Sequence, residues 1–247
     1  MNIDILYEDN DIVAIYKPVG LMVHSDGRTK DATLVDWILE RYSEMKEVGE
    51  PMTIIDSKTK EEVELPRPGI VHRLDKDTSG VLLIAKNQKS FFHLKDQFQN
   101  RTVQKTYRTI VWGSIKNDEG EIDKPIARSK SDFRLWSAQR GARGLAREAI
   151  TLYEVLDRFK VNVDTFTYIE VKPKTGRTHQ IRVHMKYLNH PVVCDSLYAP
   201  KRTCPILGMS RLALHAYSIE FILLNGEKIT VEAPLPDDFN KFLAKVK

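Results

Sequence analysis

The sequence predicts an α+β protein built on a mixed, mainly antiparallel sheet with flanking helices. Three observations carry that expectation. Stretches that alternate apolar and polar residues outnumber amphipathic helical ones along the chain. A short unbroken apolar run, Val81 to Ala85, lies between Gly80 and Lys86 and has the length and β-branching of a buried central strand. Near the C-terminus, Ile219–Leu224 and Lys228–Glu232 flank Asn225-Gly226, a type I′ hairpin signal.

From the N-terminus, Ile3 to Lys17 alternates around Glu8-Asp9-Asn10-Asp11 and predicts a hairpin. Lys17-Pro18-Val19-Gly20 then breaks the second strand into a loop ending Leu21-Met22-Val23-His24. Thr33 to Met45 has the pattern of an amphipathic helix, with Thr33 and Asp36 as a capping box and Leu34, Trp37, Ile38 and Tyr42 on one face. Glu47 to Pro68 is charged and aperiodic, and reads as a surface excursion. Ser90 to Phe98 suits a short helix with Phe91, Leu94 and Phe98 on one side.

Val103 to Trp112 alternates as a strand, with Tyr107 on one face and Arg108 on the other. Ala149–Leu156 and Thr165–Val171 predict two more strands. After the turn Lys172 to Gly176, Thr178 suits the cap of a helix whose buried stripe is Ile181, His184, Met185 and Leu188. Asp237 or Asp238 suits the cap of a last helix with Phe239, Phe242, Leu243 and Val246 inward.

Composition narrows the function classes. The 247 residues, 42% hydrophobic and 29% charged, suit a globular protein with a large core. No apolar run is long enough to span a bilayer, and the acidic start MNIDILYEDND lacks the order of a signal peptide. A net charge of +4 is compatible with nucleic acid but only weakly indicative of it. Cys194 and Cys204 have no metal-type spacing and suggest no disulfide framework, so ordinary thiols in a reducing cytoplasm are expected. His190 lies near Cys194, yet one His and two Cys do not complete a zinc site. His179 and His184 are five positions apart without a carboxylate companion, so no metal is expected there either.

Two stretches concentrate chemistry. Before the central apolar run lies a polar loop with His72, Arg73, Asp75, Lys76, Asp77, Thr78 and Ser79. Its residues alone fit either a carboxylate held rigidly at the mouth of a core strand or a solvated, charge-balanced turn. Between Lys124 and Arg147, seven basic residues stand against one acid, Asp132, with Phe133 and Trp136 interleaved. That pattern suits phosphate pairing and base stacking, and equally a solvated hairpin.

The run RPGIVHRLDKDTSGVLLIAK, Arg67 to Lys86, closely resembles the signature of the RluA/RluD-type pseudouridine synthases. Further resemblances follow in family order: KPVGLMVH at Lys17 to His24, Lys105-x-Tyr107, TGRTHQIRVH at Thr175 to His184, and RLALHA at Arg211 to Ala216. PVVCDSLYA, Pro191 to Ala199, is similar to a segment that usually reads GD-x-x-YG, with Cys194 and Ala199 in place of the glycines. The resemblance covers Ile12 to about Pro234.

It implies the pseudouridine synthase fold, with a cleft across its sheet, and isomerisation of uridine within ribosomal or transfer RNA. Asp75 takes the place of the catalytic carboxylate, as nucleophile or as base. Arg182 is implied as its ionic partner, Ile181 as an apolar pocket wall, and Tyr107 as the residue packing on the flipped base and taking part in proton transfer. Arg73 is implied to fill the gap the base leaves. The basic stretch, with Arg128, Arg134, Arg140 and Arg143, corresponds to an RNA-clasping extension. His24 fits a structural role as well as a functional one. No cofactor and no metal are implied. A single catalytic domain over 1–247 is expected, without a separate N-terminal RNA-binding module, acting on RNA as a cytoplasmic monomer with no membrane attachment. An RNA-binding module without activity and a hydrolytic N-glycosidase releasing uracil are the competing classes.

Overall fold

The structure, a computed structural model, describes every residue except 26–30, 56–60, 131, 133, 140, 141 and 247. In chain order the elements begin with β1 (Ile5–Glu8), β2 (Ile12–Lys17), α1 (Leu34–Arg41), a 3-10 turn (Ser43–Glu47), β3 (Met52–Ile55) and β4 (Glu62–Leu65). They continue with β5 (Ser79–Ala85), α2 (Gln88–Gln99), β6 (Gln104–Trp112), β7 (Glu119–Asp123), β8 (Ile126–Arg128), β9 (Trp136–Ser137) and β10 (Arg143–Arg147). The last are β11 (Ile150–Val161), β12 (Asp164–Pro173), α3 (Gln180–Tyr187), β13 (Leu214–Ile222), β14 (Lys228–Glu232) and α4 (Asp237–Val246). The architecture is α+β, with mainly antiparallel strands and flanking helices. Two compact units divide the chain: Met1–Val103 with Ser218–Ala233, and Gln104–Tyr217 with Pro234–Lys247.

In the first unit β1, β2 and β5 pair antiparallel in that order, with Ile12 opposite Ala85 and Lys17 opposite Gly80. All seven residues of β5 are buried, which is why its sequence is continuously apolar rather than alternating. The Asp9 carboxylate accepts the N–H groups of Asp11 and Ile12 and closes the first hairpin. At the start of α1 the Asp36 carboxylate accepts from the Thr33 N–H at 2.6 Å and from its hydroxyl at 2.8 Å. The helix ends at Arg41, short of the expected Met45, and Met45 is buried from the 3-10 turn instead. The expected surface excursion carries a hairpin, β3 with β4. The residues of β4 are exposed or half-buried, so no alternating pattern marks it. The β13–β14 hairpin differs from the expected type I′ turn. Gly226 N–H bonds to the Leu223 carbonyl, and Gly226 alone is left-handed, at φ 88°. That is a three-residue loop in which only the glycine needs positive φ.

In the second unit β6, β12, β11 and β7 pair antiparallel, with Tyr107 opposite Val171 and Thr151 opposite Pro173. Strands β11 and β12 run longer than their alternating cores because Asn162, at φ 55°, turns the chain directly between them. On one face α4 packs, its Phe242 edge-on to Phe166, whose ring also meets Trp112. On the other face lies α3, since His184 and Gln180 both bond to Thr151 Oγ1. By the register, that second face is the one carrying Tyr107. Asp238 does not cap α4: its carboxylate takes a bidentate pair from Arg211, while the Pro236 carbonyl accepts the first helical N–H groups.

Cys194 and Cys204 form a disulfide, contrary to the expectation of free thiols. The segment between them turns back so that their Cα atoms lie 5.3 Å apart, a proximity that a spacing of ten residues does not reveal.

Candidate active site

Asp75 sits in the loop that feeds β5, half-buried, its carbonyl accepting the Thr78 N–H at 3.1 Å. The loop is fixed from three sides. Gly69 adopts φ +65°, and a Cβ there would collide with the Ala85 carbonyl oxygen, so only glycine fits. Nε2 of His72 accepts the Leu83 N–H at 2.9 Å, and its ring stacks on Phe98 at 4.6 Å. Lys17, fully buried, donates its ammonium to the carbonyls of Pro18, Leu21 and Lys76 at 2.8, 2.9 and 3.2 Å. Gly20 N–H also bonds to the Lys76 carbonyl, at 2.8 Å. The KPVG loop and the HRLDKD loop are thereby tied together one residue beyond Asp75. Arg73, two residues before Asp75, is exposed.

His24 belongs to the same unit. Its pKa is pushed down to about 4 by burial, then by the neighbouring guanidinium groups of Arg67 and Arg73. Burial and Arg73 also lower the pKa of Arg67, with Glu50 opposing them. His24 Nδ1 and Arg67 Nε are buried without hydrogen-bond partners. At neutral pH His24 is therefore an uncharged ring among cations.

Arg182 and Ile181 lie in α3 of the second unit, 4% and 6% exposed. Arg182 Nε and Nη2 each donate to an oxygen of Asp195 at 2.8 Å, a bidentate and buried pair. Asp195 Oδ1 also accepts the N–H groups of Leu197 and Tyr198. The Tyr198 ring lies 5.1 Å from the Arg182 guanidinium, and its hydroxyl bonds to His179 Nδ1 and the Trp136 N–H. The helix start departs from expectation: the residue at its head is His179 in the left-handed region, φ 56°, rather than Thr178. Gln180 holds this turn by accepting from Thr175 Oγ1 and the Arg177 N–H and by donating to the Ile150 carbonyl. His184 uses both ring nitrogens in hydrogen bonds, to Thr151 Oγ1 and the Lys124 carbonyl, and burial lowers its pKa.

Tyr107 is half-buried in β6 against the core of this unit. The basic stretch forms a small sheet in the order β10-β8-β9. Arg128 and Arg143 stand opposite each other across two strands, and Arg128 lies 4.4 Å from the Trp136 ring centroid. Arg134 is exposed and pairs with Asp132 at 2.7 Å. Arg140, and Phe133 of the same stretch, lie outside the described residues.

Thus Asp75 and Arg73 share the first unit, and Tyr107, Ile181, Arg182, Arg128, Arg134 and Arg143 the second. Sequence reasoning assigned no role to Asp195, Tyr198, Lys17 or His72. The signal for the first two was the segment PVVCDSLYA, and for Lys17 the KPVG motif. Among the described residues no helix is long and apolar enough to cross a membrane.

The family model for RNA pseudouridylate synthase matches residues 11–187. An uncharacterised RNA pseudouridine synthase of Bacillus subtilis (strain 168) is 38% identical over 248 residues, which span 100% of this chain and 74% of that one. Ribosomal large subunit pseudouridine synthase D of Vibrio parahaemolyticus is 35% identical over 247 residues, 96% of this chain and 68% of that one. Among solved structures, human RNA Pseudouridylate Synthase Domain Containing 1 is similar with a TM-score of 0.72 at 26% identity, covering 95% of this chain and 84% of its own. With the family model matched over more than half its length, the chain belongs to the RNA pseudouridine synthases of RluA/RluD type, and is an isomerase.

Proposed function

We propose that this isomerase converts one or more uridines of ribosomal or transfer RNA to pseudouridine in the cytoplasm, as a monomer, with Asp75 as the catalytic carboxylate. The observation that supports this best is the anchoring of the Asp75 loop by Gly69, His72 and Lys17, which gives a carboxylate a fixed position at the head of a buried strand. In this reading the target nucleotide leaves its stack at a cost of a few kcal/mol. Arg73 fills the gap, since a planar guanidinium both stacks and donates hydrogen bonds. Tyr107 and Ile181 pack on the extruded base.

The reaction breaks the bond between C1′ and N1 and forms one between C1′ and C5. The C5 proton leaves and N1 gains one, so nothing is oxidised and no group is lost. A carboxylate suits this chemistry, either by attacking an electrophilic carbon or by stabilising an oxocarbenium-like sugar. Arg182 keeps Asp75 ionised and oriented. Asp195 takes Nε and Nη2 of that guanidinium, and a second carboxylate would approach it at Nη1. Arg128 and Arg143, like charges opposed across a sheet, gain most from an RNA phosphate placed between them.

The test uses ribosomal and transfer RNA transcripts tritiated at C5 of uridine. Tritium release with the isomerised nucleoside retained in the chain is the expected result. Free uracil would instead identify a hydrolytic N-glycosidase, and binding without release an inactive RNA-binding module.

A further inference from the structure

A second concentration of positive charge lies in the second unit, around the end of α3. A cavity of about 590 Å³ opens beside the C-terminal turn of that helix, lined by Lys186, Lys201 and Arg202 together with Tyr198, Pro191 and Pro200. That volume is in the range of a small-ligand pocket. Its cations are placed by ring contacts. Lys186 Nζ lies 5.7 Å from the Tyr198 ring centroid and the Arg202 guanidinium 5.1 Å from that of Trp112. Among the described residues no carboxylate neutralises these three charges, and Asp195, the acid nearest in sequence, is committed to Arg182.

The loop that carries the pocket is built rather than loose. The disulfide between Cys194 and Cys204 closes it at both ends. Asp195 holds its first turn through the N–H groups of Leu197 and Tyr198. Tyr198, 4% exposed, is pinned through its hydroxyl. Three cations over a wall of two prolines and a tyrosine match a nucleotide: phosphate for the ammonium and guanidinium groups, sugar and base for the flat apolar surface.

We infer that this pocket binds a nucleotide of the substrate RNA other than the uridine being isomerised, through its backbone phosphate. The inference rests on the reading that the substrate is ribosomal or transfer RNA, and it adds a second point of grip. It also reaches the catalytic arginine: the Tyr198 ring that lines the pocket is the one stacked near Arg182, so a nucleotide seated there packs behind the Arg182–Asp195 pair.

The test measures binding of a fluorescein-labelled substrate RNA by anisotropy over a salt series, with tritium release measured alongside. The combined Lys186→Ala, Lys201→Ala and Arg202→Ala variant is expected to bind about tenfold or more weakly, with a log–log salt slope shallower by roughly two to three, and with kcat at saturating RNA nearly unchanged. Lys201→Glu alone, at an exposed side chain, is expected to weaken binding about threefold to tenfold and guards against misfolding of the triple variant. Unchanged affinity and unchanged salt slope in both would overturn the inference and leave the patch to a protein partner or to none. Binding is read without turnover, so a failure here is distinct from a failure of the isomerase reading.

Discussion

Arg182 and Asp195 form a bidentate ion pair sealed from solvent, with side chains 5% and 0% exposed. Removing one partner of such a pair costs roughly 3–5 kcal/mol, because the other charge stays buried. Asp195→Ala is expected to lose about that much in urea unfolding. Asp195→Asn, which keeps an acceptor for the Leu197 and Tyr198 N–H groups, is expected to lose less. Equal losses would show that the carboxylate's charge does not matter to the fold.

Lys17 makes a parallel case in the first unit. Lys17→Met keeps the length of the side chain but deprives three carbonyls of a donor, at about 1–3 kcal/mol for each one left unsatisfied. The expected outcome is a loss of about 3 kcal/mol in stability together with a fall in kcat, because the Lys76 carbonyl beside Asp75 loses its anchor. A variant with wild-type melting and wild-type kcat would remove Lys17 from the positioning of the loop.

Two glycines separate steric need from backbone need. Gly69→Ala would drive a methyl group into the Ala85 carbonyl, so a loss of roughly 3 kcal/mol or more is expected. Gly20 has φ +84°, but a methyl group added there would meet nothing within 4 Å, so Gly20→Ala is expected to cost only about 1 kcal/mol. Thermal melts of the two variants compare them directly. Similar losses would show that φ alone, rather than the close approach at Gly69, sets the requirement.

His24 sets a pH dependence with a definite sign. Its folded pKa, about 4, lies below the ordinary value of 6.5. Between those values the unfolded chain binds the proton more readily, so stability is full above about pH 6.5 and declines as the pH falls toward 4. His184, also lowered by burial, acts in the same direction. His24→Gln is expected to flatten the decline in urea unfolding midpoints between those limits without abolishing it. An unaltered slope would show that His24 is not held uncharged by Arg67 and Arg73.

The parts of this fold that were legible in the sequence were those written in contiguous residues. The run Val81 to Ala85 becomes β5 because every side chain in it is buried, and the polar loop before it lies where the carboxylate of a strand-mouth site belongs. What the sequence concealed depends on residues that meet only after folding. Asp195 pairs with Arg182 across thirteen positions, and Cys194 reaches Cys204 only because the segment between them folds back. His179 heads α3 in a left-handed conformation that nothing in an ordinary capping pattern signals. At Asn225-Gly226 the dipeptide announced the hairpin correctly, but the loop is one residue longer than the tightest turn, leaving only the glycine at positive φ.

The central claim rests on the carboxylate of Asp75, and tritium release from C5-labelled RNA by Asp75→Ala tests it most directly. The account predicts no detectable release, with RNA affinity within about tenfold of the unaltered enzyme because phosphate contacts supply most of the binding. Release at the unaltered rate would contradict it.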